Sequence, residues 1–275
     1  MKFHPGKCKV LSVFNTPPPM LNILPFVQFM YSLDGSTLLD YTDSEKDLGV
    51  LVTNKMNWTE QCDQLLSRAN QQLGIVKRNC YFVTDIKRRR TLYMALVRSQ
   101  FENCSIIWRP STNTLSNRFE SLQKKAIKWI LNEESLSFAS FSTYLKKCKE
   151  VDLLPLSAKF DLNDILFLYK ILKNLVPVEL PHYLKFFEGQ SRLRSSHLDN
   201  LSLVSSITPR TPTNAFAKAF FYSTMHKWNK LPYEIRELES QNLFKAAVVK
   251  HLWRTVLWDP DVVLEDDYDL CLENG

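Results

Sequence analysis

Hydrophobic and polar positions change their period once along this chain of 275 residues. Up to about residue 53 the spacing is that of strands. Cys8 to Phe14 alternates around Val10 and Leu11, and Phe26 to Leu33 is a second aromatic and β-branched run. Asp34-Gly35 after it is a turn signal, and Thr37 to Tyr41 is placed to pair back as the hairpin partner. Leu48 to Thr53 predicts a further short strand. Pro17-Pro18-Pro19 excludes helix between the first two runs.

From Trp58 the spacing becomes helical. Cys62, Leu65, Leu66, Ala69, Leu73 and Val76 fall on one face, with Thr59 as the expected cap. A second helix is predicted from Thr84 or Asp85 to Ile107, with the stripe Tyr93, Leu96, Val97, Phe101, Cys104 and Trp108, stopped by Pro110. A third spans about Leu115 to Leu131 with Leu115, Phe119, Leu122, Ala126, Trp129 and Ile130 on one side. Residues 138–149 and 156–175 read as two more. Residues 188–214 are rich in Ser, Thr, Asn and Arg without periodicity and read as a loop. Helical spacing returns over 215–228, 232–236 and 242–257.

The order predicts an α+β chain that is mostly α, with a small antiparallel β region at the N-terminus. The expected divisions are a β region over 1–57, a helical domain over 58–187, a linker over 188–214, a C-terminal helical unit over 215–258 and an acidic tail over 259–275.

Composition narrows the function classes. Hydrophobic residues at 45% and charged residues at 23% suit a folded globular chain. Six glycines leave little room for Gly-rich phosphate loops. No apolar run reaches the roughly 18–20 residues that span a bilayer, and no signal-peptide pattern opens the chain, so no membrane partner and a cytoplasmic or nuclear location are expected. The net charge of +6 is unevenly spread: Asp259 to Gly275 holds seven acidic residues and no Lys or Arg, which leaves a strongly basic body. That balance fits a polyanionic partner. Six cysteines form no C-x-x-C pair and have no His at zinc spacing, so reduced structural thiols are expected, with Cys62 and Cys104 on apolar faces.

Five short motifs occur in a fixed order. They are Lys7-Cys8-Lys9-Val10, then Lys46-Asp47-Leu48-Gly49-Val50, then Leu92-Tyr93-Met94-Ala95-Leu96-Val97-Arg98-Ser99, then Ile107-Trp108-Arg109-Pro110, and last Trp228-Asn229-Lys230-Leu231-Pro232. The ordered set resembles the C-terminal part of reverse transcriptases from non-LTR (LINE-like, jockey-type) retrotransposons. The resemblance implies the end of a palm followed by a helical thumb over 58–187 and a further helical region. In that family a metal-binding Tyr-Ala-Asp-Asp turn lies just upstream of the Lys-Cys element, and the intact enzyme is an RNA-directed DNA polymerase that would use Mg. Here Met1 stands six residues before Lys7, and the adjacent pair Asp266-Asp267 lies in the acidic stretch without flanking strands. The expectation is therefore a truncated, catalytically inactive remnant that needs no cofactor. A second reading is a domesticated protein-interaction module, or an incomplete gene model whose full parent is the polymerase.

Two sets of residues are candidates for contact with nucleic acid. Lys87-Arg88-Arg89-Arg90 opens the second predicted helix, where positive charge opposes the helix dipole. Arg118, Lys124, Lys125 and Lys128 share the polar side of the third. Together they suit sequence-independent phosphate contact with RNA or an RNA/DNA duplex. The resemblance further implies a primer-grip-like hairpin at Tyr31, Leu33, Asp34 and Gly35. The tryptophans 58, 108, 129, 228 and 253 fall mostly on apolar faces, which favours packing over base stacking.

Overall fold

The structure is a computed structural model that describes residues 8–13, 31–32, 38–110, 112–188, 198–207 and 214–256. The described chain is mostly helical with a few short strands, in the expected α+β order. No helix of the described residues is long and apolar enough to cross a membrane. Two compact units divide it, Met1–Leu136 and Ser137–Gly275. The division therefore falls inside the segment expected as one helical domain, and not at 57/58 or 187/188.

In the first unit, β1 (Lys9–Leu11) runs parallel to β2 (Asp40–Thr42), with Val10 opposite Tyr41. This corrects the expectation of a purely antiparallel region; a parallel pair needs a long connection, and the chain between the two strands supplies one. Of the hairpin expected between 26–33 and 37–41, the described residues show the antiparallel bridge Ser32–Leu38 and a bond from Leu39 N to Tyr31 O of 2.9 Å. Residues 26–30, 33–37 and the triple proline lie outside the described residues.

β3 (Ser44–Asp47) and β4 (Val50–Thr53) form an antiparallel hairpin. Leu48 and Gly49 sit at φ 47° and 89°, the two positive angles of a primed two-residue turn. The strand therefore starts at Val50, and the Lys-Asp-Leu-Gly-Val motif is a hairpin tip. Val50 and Leu51 are buried, and Leu51 N donates to the buried Oε1 of Gln61 at 2.9 Å. That bond joins the hairpin to α1 (Thr59–Asn79), which explains why β region and helices share one unit.

The α1 stripe is buried as its period predicts. Its start is set differently: Asn57 Oδ1 accepts from Thr59 N at 2.9 Å and from Thr59 Oγ1 at 2.7 Å, so Asn57 does the work expected of Thr59. α2 (Ile86–Leu92) is capped by Asp85, whose Oδ1 accepts from Arg88 N at 2.8 Å.

The single helix expected up to Ile107 is broken. A π-helical turn spans Tyr93–Arg98, α3 covers Ser99–Glu102, Cys104 sits at φ 53°, and α4 covers Ser105–Trp108. The wider turn, bonded i to i+5, shifts the inward face. Tyr93, Val97 and Phe101 stay buried, Leu96 turns outward, and Arg98 turns inward to meet Glu102 at 2.6 Å. Cys104 is consequently half-buried at a kink and not on a helical stripe. Trp108 is fully buried; its Nε1 donates to Asn103 O at 2.8 Å and its ring stacks on Phe119 with centroids 5.7 Å apart. Phe119 belongs to α5 (Asn113–Leu131), capped by Thr112 Oγ1 accepting from Leu115 N at 3.3 Å.

The second unit is built around α7 (Leu156–Leu172), which follows α6 (Phe141–Glu150). Its buried residues include Leu156, Phe160, Leu162, Ile165, Leu168 and Ile171, a spread around most of the circumference that marks a central helix. One carboxylate lies in this shell: Asp164 is 3% exposed and pairs with Lys227 at 2.7 Å. Around α7 sit the antiparallel strands β5 (Leu184–Phe186) and β6 (Leu203–Ser205) and the helices α8 (Asn214–Lys218), α9 (Phe220–Asn229), α10 (Tyr233–Arg236) and α11 (Gln241–Val256). Tyr169 and Phe244 stack at 4.1 Å, with Trp228 beside them.

β6 corrects the reading of 188–214 as a structureless loop. The Trp-Asn-Lys-Leu-Pro motif holds it. Trp228 Nε1 donates to Leu201 O at 2.9 Å, Asn229 Oδ1 accepts from Leu203 N at 2.9 Å, and Asn229 Nδ2 donates to Leu203 O at 2.8 Å. Residues 189–197, 208–213 and 257–275, including the acidic tail and Asp266-Asp267, lie outside the described residues.

Candidate nucleic-acid interface

The basic candidates meet where the start of α2 approaches the end of α5. α5 stops because Asn132 takes a left-handed conformation at φ 59°, and Glu133 N then donates back to Lys128 O at 2.9 Å. Trp129 O accepts from Asn132 N at 3.2 Å, and Arg89 adds a second donor to it. Its Nη1 donates to Trp129 O and, at 3.1 Å, to Asn132 Oδ1; its Nε donates to Val83 O. The guanidinium also lies over the Trp129 ring, 5.2 Å from the centroid. Arg89 is 3% exposed.

Arg89 was expected on the polar side with its neighbours, and the structure corrects this. An arginine placed inward forks between three oxygens, Val83 O, Trp129 O and Asn132 Oδ1, which a lysine's single ammonium does not match in geometry. Its inward turn has a consequence for the others: Lys87 and Arg88, on the same short helix, are exposed, and Arg90 is half-buried.

On α5, Lys125 is exposed and Lys124 and Lys128 are half-buried. Lys128 immediately precedes Trp129, so it lies at the same junction, and its Nζ reaches Glu134 O at 3.4 Å. Arg118 does not join them. Ten residues of helix, a rise of about 15 Å, separate it from Lys128, and its Nη1 pairs with Asp63 Oδ1 at 2.5 Å. Lys87, Arg88 and Lys125 are thus exposed, Arg90, Lys124 and Lys128 are half-buried, and Arg89 and Arg118 leave the set.

Sequence reasoning missed three residues at this junction. Lys77, at the end of α1, pairs with Glu134 at 3.1 Å. Tyr81 and Phe82, in the turn between α1 and α2, are 74% and 69% exposed, the most exposed aromatic side chains among the described residues. Their rings meet edge to face with centroids 5.8 Å apart. A signal was present: both lie beyond Val76, the last position of the α1 stripe, and before the α2 cap, between Lys77-Arg78 and Lys87-Arg88.

The tryptophans behave as packing residues where expected. Trp108, Trp129 and Trp228 are buried, while Trp58 and Trp253 are half-buried. Of the hairpin candidates, Tyr31 is half-exposed, with its ring 6.4 Å from that of Tyr41; Leu33, Asp34 and Gly35 lie outside the described residues. Cys62 is fully buried, and its Sγ lies 3.8 Å from Trp108 O. Burial, then the charge of Asp63, pushes its thiol up to about 12, against a smaller opposing pull from Arg118. Among the described residues no three His, Cys, Asp or Glu side chains converge in a metal-holding group.

No family model, no curated protein and no solved structure matches the chain.

Proposed function

We propose that this chain is the rear segment of a non-LTR reverse-transcriptase lineage, acting as a sequence-independent module that binds RNA or an RNA/DNA duplex through phosphates. The family assignment rests on the ordered motifs from Lys7-Cys8 to Leu231-Pro232. The observation that carries the binding activity is the inward anchoring of Arg89. It ties α2, which carries the exposed Lys87 and Arg88, to the end of α5, which carries Lys125 and Lys128. Cations held on two rigid helices contact phosphates without ordering a loop first, and the contacts carry no base information. No polymerase chemistry and no cofactor are assigned to this module, and a nucleic-acid partner places it in the cytoplasm or the nucleus.

A salt titration of RNA binding tests the reading. Each neutralised phosphate contributes a slope of about −0.7 to −0.9 in log K against log salt. Wild type is expected to show a slope of several such units. The double variant Lys87→Ala/Arg88→Ala is expected to bind more weakly with a slope shallower by about one to two units. No binding at low salt, or affinity that ignores salt, would hand the surface to a protein partner instead.

A further inference from the structure

The geometry points to Tyr81 and Phe82 as a stacking platform for unpaired bases, which makes the α1–α2 junction a reader of single strands; the inference rests on the phosphate-binding reading above. The two rings are exposed in a polar stretch with charged flanks. Lys77, Arg78, Lys87 and Arg88 flank them against two carboxylates, Asp85, which caps α2, and Glu134, which pairs with Lys77, so the balance stays positive.

The loop that carries the rings is held at both ends. Cys80 N donates to Val76 O at 2.9 Å, Val83 N donates to Cys80 O at 3.2 Å, and Val83 O accepts from Arg89. The same arginine that orients the cations thus fixes the base of the aromatic pair. Ring faces outside an edge-to-face pair remain open for a planar partner.

Charge and size choose the occupant. Two rings offer far less than the roughly 1,000 Å² that a stable protein interface buries. A cationic rim favours a polyanion, and a polyanion with planar apolar faces is a nucleic acid. In a duplex those faces are consumed by base stacking, so only an unpaired strand supplies them to the rings. Base-on-aromatic stacking is sequence-tolerant, which agrees with phosphate contacts that read no bases.

Fluorescence anisotropy with labelled oligouridylate and with a blunt RNA duplex of equal length, at about 50 mM salt, tests the assignment. Tyr81→Leu/Phe82→Leu keeps apolar bulk and removes the aromatic faces; because both side chains are exposed, its thermal unfolding is expected to match wild type. Should that variant not fold, Phe82→Leu alone carries the same comparison. The expected result is about tenfold to a hundredfold weaker single-strand binding with duplex binding within about twofold. Equal single-strand affinity of variant and wild type overturns the stacking platform while leaving phosphate binding intact. Wild type binding neither strand form overturns both. Binding of anionic phosphatidylserine vesicles, retained in the leucine variant and unaccompanied by a single-strand preference, overturns it in favour of a membrane surface.

Discussion

Arg236 grips Asp199 with both ends of its guanidinium: Nη1 donates to Oδ1 at 3.0 Å and Nη2 donates to Oδ2. The arginine is 4% exposed, and Nη1 also reaches Ser202 Oγ at 3.0 Å. Burial pushes the Asp199 carboxyl up, but hydrogen bonds from Arg236 and Ser202, the guanidinium charge and the Leu201 N–H outweigh it and hold the group below its ordinary value. A carboxylate with a depressed folded pKa adds stability that is fully present above its unfolded pKa, about 3.9, and is lost as pH falls through the folded value. Acid unfolding followed by circular dichroism is expected to steepen below about pH 4. Asp199→Asn is expected to lose about 3 kcal/mol at pH 7, since it strands a buried guanidinium, and to flatten that acid limb.

Arg89 and Arg88 adjoin in sequence and are expected to behave oppositely. Arg89→Ala removes the side-chain donor shared by Val83 O, Asn132 Oδ1 and Trp129 O, of which the last keeps Asn132 N, and should cost about 2–4 kcal/mol in urea unfolding. Arg88→Ala is expected to stay within about 0.5 kcal/mol of wild type in stability while weakening RNA binding. Arg89→Lys should recover little, because an ammonium does not fork between the three acceptors.

Cysteine chemistry offers a structural readout. Cys62, with its thiol pushed up to about 12, and the fully buried Cys148 are expected to resist alkylation by iodoacetamide in the native protein. Cys8, Cys80 and Cys104, all half-buried, should label before them. Peptide mapping after a timed pulse checks the order; early labelling of Cys62 would contradict the packing of α1 against Trp108.

A Cβ at Gly49 is expected to be penalised by backbone conformation and not by lack of space. Nothing lies within 4 Å of where that atom would sit, yet φ is 89°. Gly49→Ala should therefore destabilise by about 1 kcal/mol, whereas Gly49→Asn is expected to cost less because Asn enters positive φ more readily. Thermal melts of the two variants give the ranking.

Asn229→Ala is expected to cost about 1–3 kcal/mol, since it leaves both the N–H and the C=O of Leu203 without their partner. Hydrogen exchange at Leu203 should rise in step with the loss.

Much of the fold was legible because helical period survives in single residues. Val76, Phe119 and Leu168 sit where their spacing puts them. The break after Leu92 was not legible, because a π turn keeps a helix-like pattern and changes only which neighbour faces inward, exchanging Leu96 for Arg98. β6 was hidden because Leu203-Val204-Ser205 is too short to alternate and gains its geometry from Asn229, which lies on α9. At the candidate interface, the exposed cations could be read from charge, but the inward turn of Arg89 could not. Its main acceptor, Trp129 O, lies 40 residues further along the chain. The end of α5 must first be formed for that oxygen to stand within reach of Arg89.

Asn229 has one more consequence. In the β5–β6 pair, Ser202 O accepts from Phe187 N and Ser206 N donates to Tyr183 O, so these groups face β5. The polar groups of Leu203 point to the opposite flank, where another strand would add. One carboxamide presents there the donor and acceptor that a neighbouring strand would bring. The β6 edge is thereby covered at Leu203 by a side chain, and a second copy of the chain finds no open ladder at that residue on which to add.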